Sequence, residues 1–176
     1  SLQKNSSFAP LWMSLGVLMQ GAQQTQQAMM CYDNAVRLNP QYAEAWINSG
    51  VLLRESHQHA PALARFQQVL SFAPTNETAL GNTGIILSEF KQHREACAVF
   101  ERLLAQNPKY PFGWGLLAYE RLQECDLRDF DAMSQRIVEG LKAGEPTCKS
   151  LALMAISDDA QAHQQSALLF GARFPK

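Results

Sequence analysis

A proline recurs in this chain at a fixed interval. Pro40, Pro74 and Pro108 are each 34 residues apart, without insertion or deletion. A regular interval of some tens of residues is typical of a repeated supersecondary unit. One such unit cannot bury its own apolar face, so neighbouring units must stack on it. The sequence therefore predicts a repeat architecture.

The second interval contains the fullest pattern. Gly50 and Ala62 are small, as two closely packed antiparallel helices require, while Trp46 and Phe66 fill the space beside them and Pro74 ends the second helix. In order and spacing these residues resemble the tetratricopeptide repeat (TPR), a helix–turn–helix unit. The resemblance implies an all-α fold: a TPR α-solenoid, which is a right-handed superhelix of helix–turn–helix repeats.

The pattern divides the chain into three parts. We predict an N-terminal leader or tag remnant at 1–8, a TPR domain at 9–143 and a C-terminal helical extension at 144–176. The predicted repeats are 9–42, 43–76, 77–110 and a degenerate one at 111–143. The fourth repeat is degenerate because Phe130 stands where a small residue is expected and Ser134 where an aromatic one is expected. Its second helix, predicted at about Leu127 to Ala143, must therefore pack differently.

The extension begins with a break at Gly144-Glu145-Pro146. We predict a short apolar helix at Ser150 to Ile156, and a last helix at about Ala160 to Ala172. Ser157-Asp158-Asp159 precedes the last helix as an N-cap with acidic residues. No segment alternates with a period of two, so no strands are expected.

Composition excludes several classes of function. The net charge is −1 and the pI is about 6.4, which argues against nucleic-acid binding. No apolar run is long enough for a membrane span, and no secretion signal is visible, so we expect a cytoplasmic protein. The scattered cysteines predict reduced, packed thiols at Cys31, Cys97, Cys125 and Cys148.

The TPR resemblance implies a binding groove lined by the first helices. The sixth residue of each repeat faces this groove, and these residues are Ser14, Asn48, Asn82 and Leu116. A carboxamide pairs with both the C=O and the N–H of a peptide. We therefore interpret the two asparagines as a backbone-binding ladder; the alternative is two polar residues on a solvated helix face. The full set of candidate groove residues is Ser14, Asn48, Asn82, Ile47, Val51, Arg54, Ile85, Glu89, Phe112 and Tyr119.

Some TPR adaptors instead bind a C-terminal carboxylate with lysine, arginine and asparagine. The corresponding positions here are Met13, Val17, Asn48, Thr78 and Asn82. Only Asn48 fits, and no cation is present to meet a carboxylate. This carboxylate-clamp alternative is therefore disfavoured.

Nothing in the sequence predicts catalysis, a cofactor or a metal site. His57 and His59 have no third ligand at a suitable spacing, which favours a solvated loop. Asp126, Asp129 and Asp131 surround a helix start, where acidic side chains favour the helix dipole. Phosphate loops, nucleophile elbows and zinc motifs are all missing from the sequence.

The C-terminal third resembles a particular family. Its segments 121–126, 129–131, 144–146 and 156–159 are similar to the junction region of bacterial O-GlcNAc-transferase-like (SPINDLY-like) proteins. Asn48 and Asn82 also match positions of that family's asparagine ladder. The resemblance implies that the chain recruits substrates for a protein glycosyltransferase whose catalytic domain follows. This chain alone is then a binding module and not an enzyme.

Two other classes of function remain open. One is a free-standing scaffold or oligomerising adaptor unconnected with glycosylation. The other is a regulatory subunit whose C-terminal helices dock on a separate enzyme. The expected partner is a protein or peptide in the groove, with no nucleic acid and no membrane. The last helix is apolar at Leu168, Leu169 and Phe170. It is a homo-oligomer interface if that face is exposed, and a cap if it folds over the fourth repeat.

Overall fold

The protein is all-α within the residues that its computed structural model describes, which are 8–149 and 153–173. Nine helices and no strand occur there. The helices are α1 (Ala9–Gly21), α2 (Thr25–Leu38), α3 (Ala43–Glu55), α4 (His59–Phe72), α5 (Glu77–Glu89), α6 (His93–Gln106), α7 (Gly113–Gln123), α8 (Phe130–Lys142) and α9 (Ala160–Arg173). The predicted fold class is confirmed. Apart from Phe8, the predicted leader lies outside the described residues.

The 34-residue interval is visible in the helix starts. The first helices of three successive repeats begin at Ala9, Ala43 and Glu77. The second helices begin at Thr25, His59 and His93, which are again 34 residues apart. The turn between the two helices therefore falls at the same position in each of these three repeats.

One backbone conformation recurs in those turns. Gln23, His57 and Lys91 have φ values of 60°, 58° and 58°, and Cys125 has a φ of 54° at the next position of the same register. These are left-handed conformations that reverse the chain direction between two helices. His57 is exposed in such a turn, as the loop interpretation predicts. The interpretation is wrong for His59, which is half-buried and begins α4 because the turn ends before it.

The fourth repeat departs from the register at both of its helices. The first, α7, begins at Gly113 instead of Pro111, after Phe112 takes a left-handed φ of 63°. The second, α8, begins at Phe130, three residues later than the predicted Leu127. The delay arises because the Asp126 carboxylate accepts hydrogen bonds from the Arg128 backbone and side chain, which extends the turn.

The described residues form two compact units, with the boundary after Ile86. In the first unit, a glycine of one helix faces an aromatic ring of the next. A Cβ atom added to Gly16 would lie 2.5 Å from the Tyr32 ring, and one added to Gly50 would lie 2.9 Å from the Phe66 ring. Both rings are fully buried. These contacts agree with the small-residue and aromatic positions of the repeat pattern.

In the second and fourth repeats, a tryptophan donates a hydrogen bond to the proline that precedes the repeat. The indole Nε1–H of Trp46 donates to the Pro40 carbonyl at 2.9 Å, and that of Trp114 donates to the Pro108 carbonyl at 2.8 Å. Arg65 lies 5.0 Å from the centre of the Trp46 ring. Pro40 and Pro108 therefore have two roles: each follows the end of a helix, and each supplies a carbonyl acceptor to a tryptophan of the next repeat.

In the second unit, an extended segment at 145–149 lies against α7. The Phe112 N–H donates to the Pro146 carbonyl, and the Gly115 N–H donates to the Thr147 carbonyl at 2.9 Å. The Thr147 hydroxyl donates to the Ile137 carbonyl on α8 at 2.8 Å. The break after α8 therefore has a defined structure that connects α7 with α8.

Helix α9 packs against α8 and begins at the predicted cap. The Asp159 carboxylate accepts from the Ala162 N–H at 2.9 Å and pairs with Lys142 on α8. Residues 154–156 form a turn after the helical Leu153. The rest of the predicted short helix, residues 150–152, lies outside the described residues.

Candidate functional site

The ladder residues of the first unit differ in exposure. Ser14 is exposed and Asn48 is half-buried, whereas Asn82 is only 9% exposed. The Asn82 Nδ2 donates to the Thr78 carbonyl of its own helix at 2.8 Å. One donor of this carboxamide is therefore already used inside the protein.

Asn48 also has a role within the first unit. Its Nδ2 lies 3.8 Å from the Met13 Sδ on α1. Burial raises the pKa of the Tyr32 phenol, and a hydrogen bond from Asn48 partly offsets that rise. The Tyr32 hydroxyl in turn donates to the Gln20 Oε1 at 2.6 Å. Asn48 thus helps hold α3 on the first hairpin.

The other candidates of the first unit lie on α3 and α5. Ile47 and Val51 pack against a core cluster that contains Phe66 and Ile86. Arg54 and Ile85 are half-buried. These side chains each have a packed part and an exposed part, which leaves them accessible for contact with a ligand.

The second unit contains a concave, mostly apolar pocket of about 240 Å³. Its lining residues are Ser88, Phe112, Gly115, Leu116, Tyr119, Glu120 and Lys149. The structure therefore brings together Phe112 and Tyr119, which the sequence predicts for the groove, with the sixth residue of the same repeat, Leu116. The predicted Glu89 is exposed and is not among the lining residues.

A buried carboxylate is part of the lining of this pocket. Glu120 is fully buried, accepts a hydrogen bond from the Ser88 hydroxyl and lies 2.7 Å from the His93 Nδ1. Sequence reasoning missed Glu120. The sequence did contain a signal for it: Glu120 is a charged residue at a position that Leu52 and Ile86 occupy in the second and third repeats. Both of those residues are buried.

The extended segment forms one wall of the pocket. Lys149 places its Nζ 5.7 Å from the centre of the Phe112 ring. A Cβ atom on Gly115 would lie 2.6 Å from the Cys148 Sγ and 2.9 Å from the Cys148 Cα. Only glycine at position 115 allows this segment to lie so close to α7.

A second concavity of about 330 Å³ is lined by charged residues in ion pairs. Arg94 pairs with Glu124 at 3.0 Å and Arg128 pairs with Asp126 at 2.7 Å. Hydrogen bonds from Arg128 hold the pKa of Asp126 well below its usual range. Burial raises the pKa of the Cys97 thiol in the same wall to about 11. These groups therefore offer neither a reactive thiolate nor a proton donor near neutral pH.

The predicted thiols are free, but not all of them are packed. Cys31 and Cys148 are buried and Cys97 is half-buried, whereas Cys125 is exposed. The prediction of four packed thiols is wrong for Cys125, because its left-handed turn conformation holds it at the surface between α7 and α8.

The side chains of the described ranges bear on a metal site as follows. No cluster of three or more His, Cys, Asp or Glu side chains suited to a metal occurs in them. The rings of His57 and His59 lie edge to face with their centres 6.0 Å apart. No helix among residues 8–149 and 153–173 has the length and apolar character needed to cross a membrane.

Comparison with known proteins relates this fold to TPR structures. A family model described as tetratricopeptide repeat matches residues 79–110. A comparison with curated protein sequences finds no match for this chain.

Several solved structures share the fold over most of this chain. MamA (41-end) from Desulfovibrio magneticus RS-1 is 18% identical, with a TM-score of 0.69 and coverage of 93% of this chain and 92% of that one. YrrB, described as a TPR protein with an unusual peptide-binding site, is 15% identical, with a TM-score of 0.63 and coverage of 92% and 90%. The first TPR of Spaghetti (RPAP3), bound to an HSP90 peptide, is 16% identical, with a TM-score of 0.64 and coverage of 68% and 95%.

Sequence identities this low establish similarity of fold alone. The helix register, the glycine–ring contacts and the match at residues 79–110 agree with that similarity. The chain therefore has the fold of a TPR solenoid and contains tetratricopeptide repeat sequence.

Proposed function

We propose that this chain is a binding module for an extended polypeptide. The observation that carries the proposal is the apolar pocket of the second unit, lined by Phe112, Leu116 and Tyr119. Leu116 and Tyr119 lie on the first helix of the fourth repeat, and Phe112 immediately precedes that helix. The repeat register assigns these positions to a ligand groove. A concave apolar surface with a few polar groups is the usual form of a binding site.

Two of the similar structures support a peptide as the ligand. One is described as having a peptide-binding site, and the other was solved with a bound peptide. In this proposal, the pocket accepts an apolar side chain of the ligand. The partly exposed ring of Tyr119 then covers that side chain. Tyrosine supplies such contact area at a low cost in conformational entropy.

Asn48 and Asn82 form the proposed backbone contact of the first unit. Each carboxamide has one acceptor oxygen and two N–H donors. The Asn82 Nδ2 gives one donor to the Thr78 carbonyl, which holds the side chain in one rotamer. The remaining donor and the oxygen are then oriented in advance for a peptide N–H and C=O.

A binding assay with a matched aromatic variant tests the pocket. The whole chain is titrated with an unbiased peptide library, first as wild type and then as Tyr119→Ala. We expect Tyr119→Ala to lower the affinity for the captured peptides by about tenfold or more, because the substitution removes an aromatic contact from a concave site. Phe90→Ala is the control, since Phe90 is exposed to almost the same extent (43% against 45%) and does not line the pocket.

The double variant Asn48→Ala/Asn82→Ala tests the backbone contact. We expect the double variant to lower the affinity for many unrelated peptides to a similar degree, because contacts with the peptide backbone do not depend on the side chains of the peptide. Affinities that remain equal to wild type in both this variant and Tyr119→Ala would exclude peptide binding in this groove.

We further propose, from the sequence resemblance at 121–159, that the groove recruits substrates for an O-GlcNAc-transferase-like glycosyltransferase. The test is to identify the proteins captured by the wild-type chain but not by Tyr119→Ala, and to search them for O-linked GlcNAc by mass spectrometry. Enrichment of the modification would favour this role over a scaffold. Captured partners without it would contradict the glycosylation link and leave the binding module intact.

A further inference from the structure

Helix α1 presents a row of large apolar side chains to solvent. Phe8, Leu11, Leu15, Leu18 and Ala22 follow one another at alternating steps of three and four residues, and we name this row the leucine stripe. The exposed fractions are 54% for Phe8, 62% for Leu11, 38% for Leu15 and 67% for Leu18. This spacing places all five residues along one side of a helix, as in the seam of a coiled coil.

The later repeats bury the same positions. In the second repeat, Ala45, Ser49 and Leu52 correspond to Leu11, Leu15 and Leu18, and their exposed fractions are 0%, 0% and 5%. Ala45 and Leu52 belong to one core cluster with residues of α2. The third and fourth repeats agree, because Ala79, Thr83, Ile86, Gly113, Leu117 and Glu120 are also buried.

This comparison within the chain identifies what the leucine stripe fits. In the second repeat the corresponding side of α3 is covered by a neighbouring α-helix, α2. No element among the described residues covers the stripe on α1. A second helix with an apolar face is therefore the complementary surface.

The charge distribution indicates where that second helix comes from. The segment 5–32 contains no Asp, Glu, Lys or Arg, although charged residues make up 18% of the chain. A two-fold axis places identical surfaces against each other, so a charged stripe would repel its own copy. This stripe has no charge to repel, and charged residues are depleted in the cores of interfaces.

We propose that two copies of this chain pair through the leucine stripe of α1. A helix of 13 residues is about 20 Å long. Two such faces form an interface at the lower end of the range for specific complexes, so we expect a reversible dimer with a micromolar dissociation constant. The proposal does not depend on the peptide groove, and it places self-association at α1 and not at the C-terminal helices.

Sedimentation equilibrium of the whole chain over a wide concentration range tests the dimer. We expect Leu11→Glu/Leu18→Glu to raise the dimer dissociation constant by about 100-fold, because four carboxylates would enter one apolar interface. The matched control is Leu168→Glu on α9, since Leu168 is 60% exposed and lies outside the stripe. Circular dichroism checks that both variants remain folded, as exposed substitutions usually do.

A cross-link at the centre of the stripe gives a second readout. Leu15 is the middle residue, so it lies near its own symmetry mate whether the two helices run parallel or antiparallel. In a Cys125→Ser background, Leu15→Cys should form a covalent dimer with a short bifunctional thiol reagent much faster than Val17→Cys. Val17 is 50% exposed on the same helix but lies off the stripe, about 100° from Leu18.

Three results would overturn the proposal. The first is a monomer at every concentration, and the second is equal cross-linking of the two cysteine variants. The third is a dimer that persists in Leu11→Glu/Leu18→Glu and is lost in Leu168→Glu, which would place the contact on α9.

Discussion

At the scale of single residues, two glycines set how closely the helices of each hairpin approach. Gly16 faces the Tyr32 ring and Gly50 faces the Phe66 ring, and both rings are completely buried. A buried ring surrounded by side chains cannot move aside for an added methyl group without disturbing its neighbours. The absence of a Cβ atom at these positions therefore stabilises the first unit.

Two substitutions of the same kind in α1 test this point. Gly16→Ala should lower the free energy of unfolding by about 1–3 kcal/mol, because the new Cβ overlaps the Tyr32 ring. Gly21→Ala is the control: nothing lies within 4 Å of its added Cβ, so we expect no loss and a gain of up to about 1 kcal/mol. Urea denaturation measures both. Equal effects would contradict the packing at Gly16.

The four cysteines should differ in their reaction with a thiol reagent. Cys125 is exposed and should react in the folded protein, whereas Cys148 is fully buried and should react only after unfolding. Mass spectrometry of briefly labelled protein identifies the modified residue. Labelling of Cys148 at the rate of Cys125 would show that the 145–149 segment opens readily from α7.

The same burial gives a dependence of stability on pH. Burial raises the pKa of Cys148 from 9.0 to about 12. Between these values the unfolded chain has lost the thiol proton while the folded chain keeps it, so stability falls as the pH rises. The free energy of unfolding should therefore decline less steeply above pH 9 in Cys148→Ala than in wild type. Identical slopes would contradict a buried thiol.

At the scale of elements, one carboxylate connects the ends of three helices in the second unit. Glu120 on α7 accepts from the Ser88 hydroxyl near the end of α5 and contacts His93 at the start of α6. A buried carboxylate is costly unless its oxygens are hydrogen-bonded. These two partners satisfy it and fix its position in the lining of the pocket.

Removal of this carboxylate should destabilise the second unit. Glu120→Ala leaves the Ser88 and His93 groups without their acceptor, so we expect a loss of about 2–3 kcal/mol. Glu124→Ala should cost less than about 1 kcal/mol, because Glu124 pairs with Arg94, whose side chain is 87% exposed. Thermal denaturation compares the two variants. A larger effect at Glu124 would argue against the buried network.

At the scale of the whole molecule, charge restricts the partners. The net charge is −1, and many cations are already paired with acidic residues, including Arg65 with Asp33 and Arg121 with Glu101. Binding to nucleic acid through its phosphates requires clustered basic residues. A partner recognised by apolar contacts and hydrogen bonds suits this surface better than a polyanion.

Retention on immobilised heparin tests this expectation. The chain should elute without retention at physiological ionic strength, because it lacks a cluster of cations that would release counterions. The variant Asp126→Asn/Glu124→Gln leaves Arg128 and Arg94 without their acidic partners and should be retained more strongly. Strong retention of the wild type would contradict a polypeptide as the preferred partner.

The repeat fold follows from the local pattern of the amino-acid sequence. A fixed spacing of glycine, aromatic and proline residues is local information, because each repeat contacts only its neighbours. Helices α1, α3 and α5 begin at the residues where that spacing starts a repeat. The Ser157-Asp158-Asp159 sequence separately indicated the cap, which Asp159 forms. The repeat register also assigned Phe112 and Tyr119 to the groove, and both line the pocket, although Phe112 precedes α7.

Tertiary packing completes the pocket. Ser88 and His93 hold Glu120 in place, and the 145–149 segment, which lies along α7, supplies Lys149. The late start of α8 has a local cause, because the Asp126 carboxylate accepts hydrogen bonds from Arg128, two residues further on. The late start of α7 has the same origin as the pocket, because a non-local hydrogen bond from the Phe112 N–H to the Pro146 carbonyl replaces the regular repeat there. Such contacts join residues far apart in the chain, so no local spacing encodes them. The exposure of the leucine stripe is likewise a property of the tertiary structure, because the corresponding positions of the other repeats are buried.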